Sequence, residues 1–209
     1  MLAYLLVAAQ AKDQVRIFRH FKTPRIEVTV KLPKLGGSPA DRAATAAMER
    51  FVRVEIDRMQ NENNDPDLKG LSRPFYLDIE PVSVYRTNKL VSVSLQDSTY
   101  SGGAHGMTTY STFTYGPKGR MLLSAFFRKG AGYVEQISFA LMNQLRTMDR
   151  ADWVQNGEIR GFKESQLRDF VVRPGGVLRF YFAPYELGSF ASGPFEIDLS
   201  RKELADRLP

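Results

Sequence analysis

Tyr100-Ser-Gly-Gly-Ala-His-Gly106 places one of the chain's two histidines among three glycines and a small alanine. Histidine is the side chain suited to proton transfer near neutral pH, and Asp97 and Ser101 add the other residue types of a serine hydrolase. That chemistry needs nucleophile, base and orienting acid to converge in space. Three residues within the nine from Asp97 to His105 do not meet that need, and no Gly-x-Ser-x-Gly elbow is present. Glu186 sits beside aromatic residues, a setting that favours a raised pKa, but a glycosidase also needs a second carboxylate and none is identifiable. The chain reads as non-catalytic, with a hydrolase acting through His105 and Glu186 as the alternative.

Two readings of His105 stay open. In one, the ring packs or hydrogen-bonds within its loop and fixes it against neighbouring strands. In the other, His105, Tyr100, Tyr185 and Glu186 line one groove, because aromatic faces beside hydrogen-bonding groups suit sugar rings or a peptide strand. Tyr185 equally suits a core anchor under a surface loop. Arg120 and Arg179 join the candidate binding residues because they lie in the acid-free segments 98–134 and 171–185. Any partner of those segments is expected to be anionic.

The net charge of +6 agrees with that expectation, and residues 12–34 hold seven basic side chains against Asp13 and Glu27. A basic face favours encounter with anionic partners without saying anything about the fold. Nucleic acid is not favoured, since no helix-turn-helix, zinc-finger or RNP signature is present. Absence of cysteine excludes thiol catalysis, iron–sulfur clusters and thiolate zinc sites, and two histidines exclude a multi-histidine metal site. No calcium-loop spacing occurs, and the stretch Asn61–Asp67 reads as a solvated turn. No metal and no cofactor is expected.

The elements that must position these residues follow from periodicity. Ile26, Val28, Val30 and Leu32 alternate as in a half-buried strand. A helix is predicted over 40–60, with Ser38 as N-cap, Pro39 in the first turn and an apolar stripe from Ala44 to Met59. Residues 75–86 and 90–98 read as a hairpin, followed by strands at 107–115 and 120–123 around Gly116-Pro-Lys-Gly119. A second helix is predicted over 132–148, a hairpin at 170–173 and 177–182, and a strand at 195–199. A short capped helix is predicted over 200–208, with Ser200 and Glu203 as its capping box. The fold class is α+β, with antiparallel sheets, two main helices and two closely packed subdomains. The boundaries expected are 12–99 for a smaller N-terminal subdomain and 100–209 for a C-terminal domain carrying the glycine–histidine loop. Residues 1–9 are uninterruptedly apolar and Ala9-Gln10-Ala11 has the small-x-small form of a signal-peptidase site. Residues 1–11 are therefore expected to be the remnant of a secretory signal whose basic start lies upstream.

Beyond the loop come Leu122-Leu-Ser-Ala-Phe-Phe127, Gly176-Val-Leu-Arg-Phe-Tyr-Phe182, Pro184-Tyr-Glu-Leu187, Ala191-Ser-Gly-Pro194 and Glu196-Ile-Asp-Leu199. Together these resemble the extracytoplasmic domain family of unknown function found in the lysozyme-sensing anti-sigma factor and in the N-terminal part of a peptidoglycan deacetylase. The part from Arg25 through the first hairpin is similar to the smaller domain that usually precedes it. The resemblance implies a periplasmic or secreted, non-catalytic module that binds a cell-wall polymer or an envelope protein, with lysozyme or an anionic wall polymer as candidates. Lysozymes are commonly cationic and this chain is basic, which weakens lysozyme as a partner. The residues given contain no transmembrane span, sigma-binding region or deacetylase domain, so neither signalling nor deacetylation is carried over. In the hydrolase alternative, His105 and Glu186 act on the wall polymer.

Overall fold

Strand β2 (Ile26–Pro33) buries Ile26, Val28, Val30 and Leu32 on one face, as their alternation requires. The computed structural model to which it belongs describes residues 15–64 and 73–204. The expected signal segment, part of the 61–67 turn and the end of the predicted 200–208 helix lie outside those residues. Helix α1 (Pro39–Asn63) opens on Ser38, whose hydroxyl accepts the Asp41 N–H while the Asp41 carboxylate accepts the Ser38 N–H, both at 3.1 Å. This is a capping box with Pro at the first helical position, where its missing N–H costs nothing. Ala44, Met48, Val52, Ile56 and Met59 then fall on one face and are buried against the sheet.

A six-stranded sheet has the order β1-β2-β3-β4-β5-β6. Its further strands are β1 (Val15–Lys22), β3 (Phe75–Arg86), β4 (Val91–Tyr100), β5 (Met107–Gly116) and β6 (Gly119–Arg120). All pairings are antiparallel except β2 with β3, which run parallel with Ile26 opposite Phe75. The antiparallel sheets and two main helices expected are present, and the one parallel pairing arises because α1 carries the chain back across the sheet and makes a crossover unit. Strand β1 has no counterpart in the sequence reading. A register shift between Ile17 and Arg19 breaks its alternation, yet Phe18 and Phe21 pack on the α1 core. Strand β6 stops at Arg120, and Leu123 already begins a turn of 3-10 helix.

A second sheet, β7 (Phe170–Arg173), β8 (Val177–Phe182) and β9 (Phe195–Leu199), is wholly antiparallel. Phe170, Phe180, Phe182, Phe195 and Ile197 form a core with Ile137, Leu141 and Leu145 of α2 (Tyr133–Leu145). A one-turn helix α3 (Asp152–Gln155) falls where the sequence shows little period. Ser200 and Glu203 make the predicted capping contacts, but residues 201–204 form turns.

Parity along β4 separates the two cores. Val91, Val93 and Leu95 point to α1, while Ser92 and Ser94 point to the second sheet. A bulge at Pro81–Ser83 reverses parity on β3, so that Val84 joins the α1 core and Tyr85 the other. The sheets meet through hydroxyls. Ser92 Oγ lies 2.7 Å from Thr114 Oγ1 and accepts the Val172 N–H at 2.8 Å, and Ser94 Oγ lies 2.7 Å from Tyr181 Oη. The first sheet continues past residue 100 through β5 and β6, so the two cores divide near residue 120. At the start of α1, Arg86 grips the buried Asp41 carboxylate bidentately at 2.9 and 2.8 Å. Burial pushes that carboxyl up, but the Arg86 and Ser38 hydrogen bonds outweigh it and leave the pKa below the ordinary value.

Candidate functional site

The loop between β4 and β5 follows the unusual path its glycines suggest. Gly102 and Gly103 take φ of 106° and 90°, open to glycine alone at no steric cost. At Gly106 a Cβ would lie 2.4 Å from Tyr76 Oη and 2.8 Å from the Thr99 carbonyl, so no side chain fits. Tyr100 is only 8% exposed, stacks on Tyr76 and donates its hydroxyl to the Gly103 carbonyl at 3.2 Å. It shapes the loop from within.

His105 is exposed at the loop's end. Its Nδ1 lies 3.0 Å from the Gly106 carbonyl, which can only accept, so Nδ1 carries the proton. Nε2 lies 3.5 Å from the Tyr185 hydroxyl, which donates to it when the ring is neutral. The imidazole stacks on Phe190 with ring centres 3.5 Å apart and planes 18° from parallel. The ring is thus held in its loop and remains accessible.

Tyr185 sits in the turn 183–186, where the Glu186 N–H donates to the Ala183 carbonyl at 3.2 Å. Pro184 takes the second position and Tyr185 the third, with φ of 71°. A type II turn demands positive φ there and normally places glycine in it. A tyrosine held so costs on the order of 1–2 kcal/mol of backbone strain. It is the one non-glycine residue with positive φ among the described residues, and it is 49% exposed. The core-anchor reading of Tyr185 does not hold. The Glu186 carboxylate accepts the Ala183 N–H at 2.6 Å and closes the turn from its other side. Burial of the carboxyl raises its pKa, the Ala183 N–H pulls the other way, and the charge of Asp169 adds to the rise.

The loops of two different sheets thus bring together His105, Tyr185 and Phe190. Arg120 and Arg179 are placed elsewhere. Arg179 lies on β8 and is gripped by Asp198 at 2.7 and 2.9 Å and by Glu196, while Arg173 pairs with Asp198 at 2.6 Å. The hydrogen bonds it donates to Asp198 hold Arg179 firmly charged and engaged. The segment 171–185 is acid-free only along the chain, because cross-strand pairing with β9 supplies both carboxylates. Arg120 lies at the far end of β5 from His105, roughly 30 Å away at ~3.3 Å per strand residue. Burial raises the pKa of Asp169, and the Thr112 hydrogen bond and the charges of Arg168 and Arg120 offset only part of that rise.

The triad arrangement fails as the spacing indicates. Asp97 faces α1 inside the sheet, 4% exposed, while His105 contacts the other module. Among the described residues no hydrogen bond joins His105 to Glu186. Two site residues escaped the sequence reading. Phe190 is a lone aromatic within Ser189-Phe-Ala-Ser-Gly193, and its bulk among small residues is the available signal. Asp169, the carboxylate near Glu186, is engaged by Thr112 at 3.4 Å and carries no sequence signal. Among the described residues no three ligating side chains gather to hold a metal, and no helix is long and apolar enough to cross a membrane.

Residues 124–202 match the family model described as a protein of unknown function (DUF3298), and residues 20–108 match the model described as deacetylase PdaC. The chain is 25% identical over 167 residues to the peptidoglycan-N-acetylmuramic acid deacetylase PdaC of Bacillus subtilis (strain 168), covering 78% of this chain. It spans 36% of the length of that curated relative. Solved relatives share the fold. A DUF3298 family protein from Pseudomonas aeruginosa PAO1 superposes with a TM-score of 0.63 at 12% identity, over 93% of this chain and 91% of that one. A DUF3298 family member from Bacteroides fragilis NCTC 9343 gives a TM-score of 0.50 at 16% identity, over 88% and 84%. The family likeness read from the sequence is borne out.

Proposed function

We propose that this chain, in which a DUF3298 domain follows a PdaC-like module, is an extracytoplasmic binding unit that holds cell-wall glycan on the His105–Phe190–Tyr185 cluster. One observation carries the reading: a half-exposed tyrosine is kept in a left-handed backbone conformation beside a histidine stacked on phenylalanine. Strain of this kind persists where the surroundings enforce it, and it concentrates at ligand sites. Flat aromatic faces flanked by a hydroxyl and an imidazole nitrogen offer a sugar ring both area and hydrogen bonds, at low entropic cost. The wall setting draws support from the likeness to a peptidoglycan deacetylase.

The hydrolase alternative has less support. The Glu186 carboxylate is engaged in closing its own turn, and His105 Nδ1 is committed to a backbone carbonyl. Co-sedimentation with purified peptidoglycan at low and high salt tests the proposal. Retention at both salt concentrations is expected, because aromatic stacking is not screened. Retention lost on adding salt points to charge attraction in place of stacking. No retention at either sinks the reading.

A further inference from the structure

The β1–β2–α1 corner of the first sheet holds a cavity of about 420 Å³ that shares no lining residue with the aromatic cluster. Three cations line it: Arg16 from β1, Lys34 just past the end of β2, and Arg42 in the second turn of α1. Among the described residues of the lining Glu49 is the one carboxylate, and it pairs with Arg16. The described lining residues therefore keep a net of two positive charges. Arg42 donates to the Gly37 carbonyl, which uses part of its five-donor fork and fixes the guanidinium at the rim. Lys34 is exposed and has no partner among the described residues. Pro33, Leu35 and Ala46 complete the wall as an apolar shelf.

We propose that this cavity is a binding site for a phosphorylated sugar or polyol. The net charge of the lining matches a phosphate dianion better than a single carboxylate. An arginine fork beside a lysine is a common combination for phosphate oxygens. The volume exceeds what a bare phosphate fills and lies in the range of small-molecule sites, and the shelf gives the carbon skeleton a place to lie. The N-terminal N–H groups of α1 contribute little, because Ser38 and Asp41 already cap them. The pull on the anion comes from side chains. This site is separate from the aromatic cluster and stands whether or not that cluster binds glycan.

The test is a titration of the full chain with glycerol 3-phosphate, followed by amide chemical shifts, with glycerol as the uncharged control. Saturable shifts at the pocket residues are expected with the phosphate and none with glycerol. Lys34→Glu puts a negative charge at an exposed position with no structural partner, and should weaken binding about tenfold or more. Lys118→Glu, on the distant β5–β6 turn, should leave affinity unchanged. Absence of saturation, equal response to glycerol, or equal weakening by both variants overturns the proposal, the last by reducing it to general charge attraction.

Discussion

Replacing Asp97 by asparagine should stabilise the protein above neutral pH and change little near pH 4. Asp97 lies on β4 beneath α1, 4% exposed, and its Oδ1 has no hydrogen-bond partner. Burial, and then the charge of Glu55, raise its pKa to about 7, with Arg58 pulling the other way. In the unfolded chain the same carboxyl titrates near 3.8. Between these values the unfolded state gives up its proton and the folded state keeps it, so stability falls as pH rises. Each pKa unit corresponds to 1.36 kcal/mol, which makes the full loss about 4 kcal/mol once pH exceeds the folded value. Asparagine keeps the shape of the neutral acid and cannot ionise. Asp97→Asn should therefore gain about 2–4 kcal/mol at pH 8.5 and close to nothing at pH 4. Urea unfolding at the two pH values, with slopes compared to check that the denatured state is unchanged, measures the difference. If the variant is no more stable than the parent at pH 8.5, Asp97 is ionised and satisfied in the fold, and the reasoning fails.

Ser92→Ala leaves the Val172 N–H without its acceptor between the sheets, at a cost of about 1–3 kcal/mol, and should speed hydrogen exchange at that amide. Arg86→Met strands the Asp41 carboxylate, which is 2% exposed, and should cost about 3 kcal/mol near pH 7 by urea unfolding. Because pairing depresses the folded pKa of Asp41, that contribution is present above its unfolded value and disappears as pH falls through the folded one. The gap between parent and Arg86→Met should therefore narrow in acid. Arg179→Ala should lower stability through the loss of its Asp198 and Glu196 pairs without changing retention on peptidoglycan, since that guanidinium is already engaged.

Much of the fold was legible because it is written in period and capping. The β2 alternation, the Ser38 N-cap of α1 and the hairpin expected over 75–86 and 90–98 stand where local pattern places them. What escaped is what depends on partners distant in sequence. The bulge in β1 scrambles its pattern, and the parallel β2–β3 pairing follows from the crossover through α1. For the site, the loop glycines and His105 were readable, but Tyr100 looked like a groove residue because burial has no sequence mark. Arg179 looked free because its acids lie on the next strand. Tyr185 carried a usable signal: Pro184 followed by a residue other than glycine in a turn that needs positive φ.

That position gives the most direct test of the binding proposal. Tyr185→Gly removes the aromatic face and relieves the left-handed backbone in one change. The gain from lost strain and the entropic cost of glycine, about 0.5–1 kcal/mol, should leave stability within about 1 kcal/mol of the parent. Binding of a soluble peptidoglycan oligosaccharide, measured calorimetrically on parent and variant, should fall at least about tenfold. A variant that is equally stable and binds the oligosaccharide as the parent does would contradict the assignment of this cluster as the glycan site.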